Sequence, residues 1–339
     1  MITVSLYQKE DCHLCEQVQQ DLQALQQKVP HQLVLIDIEK DSNLKDQFAL
    51  DIPVVEVGPY RLKYPFSKQD LELTLRAAEQ RRSQLIKVDD EKYKQAVKRG
   101  STITRADRIS LWISRHYLMV INLALIIFVG LPFLAPVLKK SGADLPAEII
   151  YRIYRPFCHQ WSFRTWFLFG EQTYYPHAAA DIPGVLTFEK VSGITDANDP
   201  SRLNARLFEG NPLLGFKLAL CERDIAIWGS FLLFGLIFVL SQKKTKSIHW
   251  MLWLVIGIGP IALDGFSQLV SQLNLPVFQS FLPYRESTPL LRTVTGFLFG
   301  FMTAWYGFPT IEEVMSETRT ALTKKMAVIA IKTGKNTGQ

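Results

Sequence analysis

The chain has 339 residues, room for about two domains. Apolar residues make up 48% and charged residues only 21%, which excludes a disordered chain and two ordinary soluble domains. Four cysteines exclude a disulfide-dense secreted scaffold, and a net charge of +6 raises nucleic acid as a partner until the basic residues are located.

Residues 1–80 are polar and mixed, with no long apolar run. Residues 2–6 read as a strand, followed by Asp11-Cys12-His13-Leu14-Cys15 and a helical stretch to about Lys28. A second strand is expected at 33–38, a helix at 43–49, a third strand at 52–57 and a fourth at 61–64. Ser67 then caps a helix through Leu71, Leu73 and Leu75. The predicted order is βαβαββα. Acidic residues and the CxxC stand where a secretory signal would need an apolar region.

Cys12 opens the first helix, where the partial positive charge of the N-terminus stabilises a thiolate. Cys15 lies one turn on and is placed to resolve a mixed disulfide. His13 is either a further cation favouring the thiolate or a solvated loop residue. A zinc half-site is the other reading of the CxxC, but only His31 is available nearby as a further ligand.

Across residues 1–80, LYQKEDCHLCE, LIDIEKD and DIPVVEV resemble the glutaredoxin-like branch of the thioredoxin fold. The resemblance implies an α/β thioredoxin-like domain, thiol–disulfide exchange, and a cis Pro53 beside the active cysteines. It makes glutathione a candidate reductant, although His13-Leu14 replaces the Pro-Tyr of the family's CPYC motif.

Residues 81–115 form a basic linker, partly helical, and residues 116–311 a predicted all-α membrane domain. Long uncharged runs predict four transmembrane helices near 117–138, 225–242, 250–270 and 291–309. Trp and Tyr collect at the ends of the runs, as interface anchors do. Buried helices of a soluble protein are the competing reading. The 81–115 segment, the 243–246 link and the 312–339 tail are basic, whereas the 271–290 link holds only Arg285. All three basic segments share one side if both termini are cytoplasmic, in a multi-pass protein of the plasma (inner) membrane. The basic residues then serve topology and the anionic headgroups of the bilayer, and nucleic acid is not expected as a partner.

The 139–224 stretch is read as an external loop carrying Cys158-His159-Gln160 and Arg164. Cys221 and Arg223 open the second predicted span, Asp264 and Gln268 lie late in the third, and Arg292 starts the fourth. With both termini inside, all of these reach the outer half of the membrane. Asp264 lies about 21 Å along its helix at ~1.5 Å per residue. A carboxylate there needs a counter-ion, and Arg292 and Arg223 are the candidates. The pair either pins the bundle or belongs to a functional pocket.

Cys158 and Cys221 admit three readings besides two unpaired cysteines. A disulfide would close about 64 residues, worth roughly 4 kcal/mol in the chain-entropy model. A zinc or copper site would use Cys158, His159 and Cys221, with Asp264 or His177. The third reading is a redox-active thiol pair.

Residues 150–309, through CHQWSFRTWF, CERDIAI, DGFSQ and ESTPLLRTVTG, resemble an uncharacterised family of multi-pass prokaryotic membrane proteins. The resemblance implies that these polar residues form one site. It supplies no chemistry.

The expectation is a membrane-anchored thiol–disulfide oxidoreductase acting on an unidentified protein or small thiol, with a second polar site at the outer face. The alternative is a redox-sensing or metal-handling membrane protein without thiol turnover. The two cysteine pairs are expected on opposite sides of about 30 Å of hydrocarbon.

Overall fold

The computed structural model describes residues 1–40, 42–88, 91–273 and 283–332. Asp41, the 274–282 part of the third link and the tail beyond 332, with Lys335, lie outside the described residues, as do the side chains of Lys92, Lys94 and Lys332. The chain divides into two units, Met1–His116 with Glu313–Gln339, and Tyr117–Glu312.

The first unit opens with β1 (Ile2–Gln8), α1 (His13–Leu25), β2 (His31–Asp37), α2 (Ser42–Phe48), β3 (Val54–Val57), β4 (Tyr60–Lys63) and α3 (Lys68–Lys87). This is the order expected from the sequence. β1 and β2 pair in parallel with Ile2 opposite His31, so α1 must cross over the sheet to join them. β3 runs antiparallel to β1, and β4 to β3, giving the order β2-β1-β3-β4. Strand side chains alternate between faces. Val4, Leu6, Val55 and Val57 therefore meet Leu22 of α1 and Leu75 of α3. Tyr7, Val34, Ile36 and Val54 meet Phe48 of α2 on the other face. Ser67 and Asp70 close a reciprocal capping box at the start of α3. A mixed sheet with helices on both faces is the arrangement the first resemblance implies. The basic linker contains α4 (Glu91–Gly100) and leads into α5 (Arg105–Lys140).

In the second unit, α5 is followed by α6 (Asp144–Tyr154), β5 (Phe167–Leu168), α7 (Phe188–Ser192), α8 (Leu203–Leu207), β6 (Gly210–Asn211) and β7 (Gly215–Lys217). The helices α9 (Glu222–Leu240), α10 (Trp250–Gln272) and α11 (Pro289–Lys332) complete it. The 139–224 stretch, read from the sequence as an external loop, is a folded segment with its own helices and strands. Its small antiparallel sheet has the order β5-β7-β6, and Phe163, Phe167, Tyr175 and Phe188 form an aromatic core.

Among the described residues, three helices, α5, α9 and α10, are long and apolar enough to cross a membrane. Many of their large apolar side chains, such as Leu123, Ile127, Val239, Leu263 and Phe266, are exposed. The 291–309 stretch is helical throughout, inside α11. Thr293, Gly296, Gly300, Thr303, Gly307 and Pro309 dilute its hydropathy, and composition does not mark it out as it does the other three.

Proline chemistry docks the elements that carry the site. Pro132 and Pro136 stand inside α5, and each lacks the N–H that would bond the carbonyl four residues back. Those carbonyls belong to Phe128 and Pro132. The first accepts the Tyr154 hydroxyl of α6 at 2.7 Å, and the second accepts the Ala219 amide just after β7 at 3.4 Å. In α10, Pro260 likewise lacks an N–H, and the preceding turn, Trp253–Ile258, widens into a π-helix.

Residues 313–332 of α11 belong to the first unit. Ala327 and Val328 pack on the Tyr7 and Phe48 cluster, and Lys324 pairs with Glu56.

Candidate functional site

The first site lies at the start of α1. Cys12 is the helix N-cap, and its carbonyl accepts the amides of Cys15 at 2.9 Å and Glu16 at 3.1 Å. Its sulfur accepts the Cys15 amide at 3.2 Å. An amide aimed at sulfur, together with the helix terminus, favours a thiolate when the pair is reduced. Cys12 and Cys15 form a disulfide, with Cα atoms 5.2 Å apart. Cys12 is half-buried and Cys15 fully buried, so only the first sulfur is open to a partner. His13 is exposed as the first residue of the helix. His31 is buried, with Nδ1 2.7 Å from the Val29 carbonyl, and does not join a metal cluster among the described residues.

The Ile52–Pro53 bond is cis. Tyr7 pairs with Val54, so Pro53 sits at the end of the sheet from which the CxxC loop leaves β1. On the same sheet Glu56 accepts from the Tyr7 hydroxyl at 2.9 Å and from Arg61 at 2.6 Å, besides its pairing with Lys324. Burial opposes its ionisation, but hydrogen bonds from Lys324, Arg61 and Tyr7 outweigh burial and hold the carboxyl below its usual range.

The second site gathers polar residues of the other unit into two groups. In the first, the sulfurs of Cys158 and Cys221 and a carboxylate oxygen of Asp224 lie within 4.8 Å of one another. Cys221 caps α9 and donates its thiol proton to Asp224 at 3.0 Å, one turn along. Both cysteines are unbonded thiols in this structure, which does not hold the disulfide among the readings open for the pair. The hydrogen bond with Cys158, together with burial, pushes the Cys221 thiol well above its usual range.

The turn carrying Cys158 is tightly framed. Gln160 Nε2 bridges the carbonyls of Tyr151 at 2.9 Å and Ala219 at 2.7 Å. Lys217 is buried, and its Nζ donates to the carbonyls of Gln160 at 2.8 Å and Arg206 at 2.6 Å. These bonds hold Gln160 at φ 55°, a left-handed conformation. Anchoring Gln160 inward turns His159 outward, where it is exposed and its ring lies 5.0 Å from that of Trp161. It joins no metal-binding group among the described residues, and neither does His177, which faces Glu189 and Asp196 at 3.3 and 3.1 Å.

The other group is ionic. Asp264 is buried and accepts from Arg223, from Arg285 at 2.7 Å and from Ser287 at 2.7 Å. Glu286 is buried under a two-pronged contact from Arg164 at 2.6 and 2.9 Å, and also binds Arg292. Burial pushes the Glu286 carboxyl up, but Arg164 and Arg292 outweigh burial and hold it below its usual range. Arg292 Nη1 lies 3.8 Å from Glu222, whose two oxygens accept no hydrogen bond among the described residues. The expected Asp264–Arg223 pair is present. Arg292 instead serves Glu286 and Glu222, while Arg285 takes the other oxygen of Asp264 and Ser287 shares the oxygen that Arg223 bonds. Gln268 is buried one turn beyond Asp264 on the same helix. Glu222, Arg285 and Glu286 were not singled out as site residues by sequence reasoning. The available signal was their place inside the CERD and RES segments.

The close approach of α9 and α11 depends on two glycines. A Cβ on Gly300 would lie 2.1 Å from the Ile227 carbonyl oxygen, and one on Gly296 would lie 2.7 Å from that of Arg223. This contact brings Arg223 and Arg292 into one layer.

Residues 3–76 match the glutaredoxin-like domain family DUF836, and residues 212–306 match DUF2085, described as a predicted membrane protein. The chain carries a glutaredoxin-like domain and a DUF2085 membrane domain. An uncharacterised protein of Methanocaldococcus jannaschii, MJ1492, is similar at 24% identity over 207 residues, covering 59% of this chain and 96% of that protein. No solved structure matches. The CxxC lies inside the glutaredoxin-like match, whereas Cys221, Asp264, Glu286 and Arg292 lie inside the DUF2085 match. Cys158 and Arg164 precede it.

Proposed function

We propose that this chain is a membrane-anchored thiol–disulfide oxidoreductase whose glutaredoxin-like domain works through Cys12 and Cys15. The observation that carries the reading is the asymmetry of the disulfide, with Cys12 open at a helix N-cap and Cys15 buried. In the reduced protein, the Cys12 thiolate attacks a partner disulfide, forming a mixed disulfide and releasing one partner thiolate. The Cys15 thiol, giving up its proton, then attacks the Cys12 sulfur and releases the second partner thiolate. The partner gains two electrons and two protons, and the CxxC becomes a disulfide. A small thiol such as glutathione, or a protein dithiol, restores it.

The membrane domain anchors this chemistry. In our reading both termini are cytoplasmic in the plasma membrane, and the folded 139–224 segment lies on the opposite side. The support is the distribution of lysine and arginine, together with 291–309 as a fourth span. Three spans would place the termini on opposite sides, whereas four return them to the same side.

The test is differential alkylation of the reduced protein with partner trapping. Cys12 should alkylate much faster than Cys15, and a Cys15→Ser variant should accumulate mixed disulfides. Equal alkylation rates, or a Cys12→Ser variant that still reduces a mixed disulfide, would overturn the reading.

A further inference from the structure

We propose that Cys158, Cys221 and Asp224 form a site for a zinc-class divalent cation, with three protein ligands and one exchangeable position. This goes beyond the oxidoreductase reading and does not depend on it.

Three observations converge. The three donor atoms lie within 4.8 Å of one another, close enough to share one ion after modest side-chain adjustment. They come from two separately anchored pieces of chain. Cys221 and Asp224 occupy the N-cap and first turn of α9, and Cys158 stands on the turn after α6. That turn is fixed by Gln160 and Lys217 from both sides, so the convergence is built into the frame. The Gln160 backbone N–H also donates to the Cys158 sulfur at 3.4 Å, an outer contact suited to a ligating thiolate.

The donor set selects the metal. Two sulfurs disfavour calcium and magnesium, which take oxygen ligands. Sulfur suits both zinc and monovalent copper, while the carboxylate is a hard donor better suited to zinc. Binding displaces one proton from each thiol to solvent. Two thiolates and one carboxylate then carry three negative charges against two positive, leaving the site at minus one. With His159 turned outward, the fourth position falls to water or an exchangeable ligand.

The experiment uses full-length protein in detergent with Cys12→Ser and Cys15→Ser, so that the CxxC contributes no sulfur. Reduced, chelator-treated protein is titrated with zinc against a chromophoric chelator, and separately with cobalt. One zinc per chain and a sulfur-to-cobalt charge-transfer band are expected. Cys158→Ser should weaken zinc binding and cut the band to half or less, since only the Cys221 sulfur is left, and Asp224→Asn should weaken zinc binding while retaining it. Gln160→Ala keeps the backbone N–H that meets Cys158 but removes the Nε2 bridges that fix the turn, and should weaken zinc binding less than Cys158→Ser does. If the cysteine variant fails to fold, the cobalt spectrum of the parent protein decides alone. No zinc bound, no sulfur band, or full binding by folded Cys158→Ser overturns the proposal. So does a Cys158–Cys221 disulfide in protein alkylated at the moment of cell lysis.

Discussion

Asp264 illustrates what a buried carboxylate requires in an apolar domain. It has two guanidinium partners and a hydroxyl, whereas Glu222 has one distant guanidinium and no hydrogen bond among the described residues. Removing one partner of a buried pair leaves the other uncompensated. Asp264→Asn is expected to cost about 3 kcal/mol, seen as a lower unfolding temperature in detergent. Glu222→Gln should cost clearly less, because Arg292 retains Glu286. Equal losses would contradict this division of roles. Glu56 supplies a pH prediction. Its folded carboxyl titrates below the ordinary value of about 4.3, so the pairing contributes fully above that value and is lost as pH falls through the lower folded one. The stability gap between the parent protein and Glu56→Gln should be widest in neutral buffer and should close on acidification.

At the scale of elements, the helix contacts rest on residues that remove atoms. Prolines in α5 free two carbonyls, which become acceptors for Tyr154 and Ala219. Glycines in α11 admit the α9 backbone. A Cβ on Gly300 would meet both the Ile227 carbonyl and the Ser230 hydroxyl, so Gly300→Ala must push the helices apart, at a cost of about 1–3 kcal/mol. Gly307→Ala meets open space in the same helix and should be neutral or mildly stabilising, since alanine favours helix by roughly 1 kcal/mol. Thermal unfolding of the two variants side by side checks the contrast. Gly300→Ala should also disturb the Arg223 and Arg292 layer, since both residues flank the same crossing.

For the whole molecule, the proposal that both termini face the cytoplasm makes a sharp prediction. In sealed vesicles with the cytoplasmic side outward, an added protease should reach the 81–115 linker and the tail, but not the 139–224 segment. Single-cysteine labels at Lys98 and Asp181, in a background lacking the native cysteines, measure the same thing with an impermeant reagent. Labelling of both positions from the cytoplasmic side would refute the topology. The 313–332 stretch also matters to the glutaredoxin-like domain. Its Lys324, Ala327 and Val328 contacts cover the sheet face around Tyr7 and Phe48, so a domain cut away from this helix loses part of its cover.

The sequence by itself determined the glutaredoxin-like domain, because each of its elements announces itself locally. Alternating apolar strands, the Ser67 cap and the CxxC before a helix are all short-range signals, and the parallel crossover leaves little freedom in joining them. It also determined the long apolar helices, whose signal is simple length without charge. Only the tertiary structure decided the partners within the second site. Which arginine meets which carboxylate depends on helix rotation and on the depth to which two glycines let α9 and α11 approach. The fate of His159 was equally hidden. It neighbours Cys158 in sequence, yet the inward anchoring of Gln160 turns it away, while Asp224 comes to the sulfurs simply by lying one helical turn beyond Cys221.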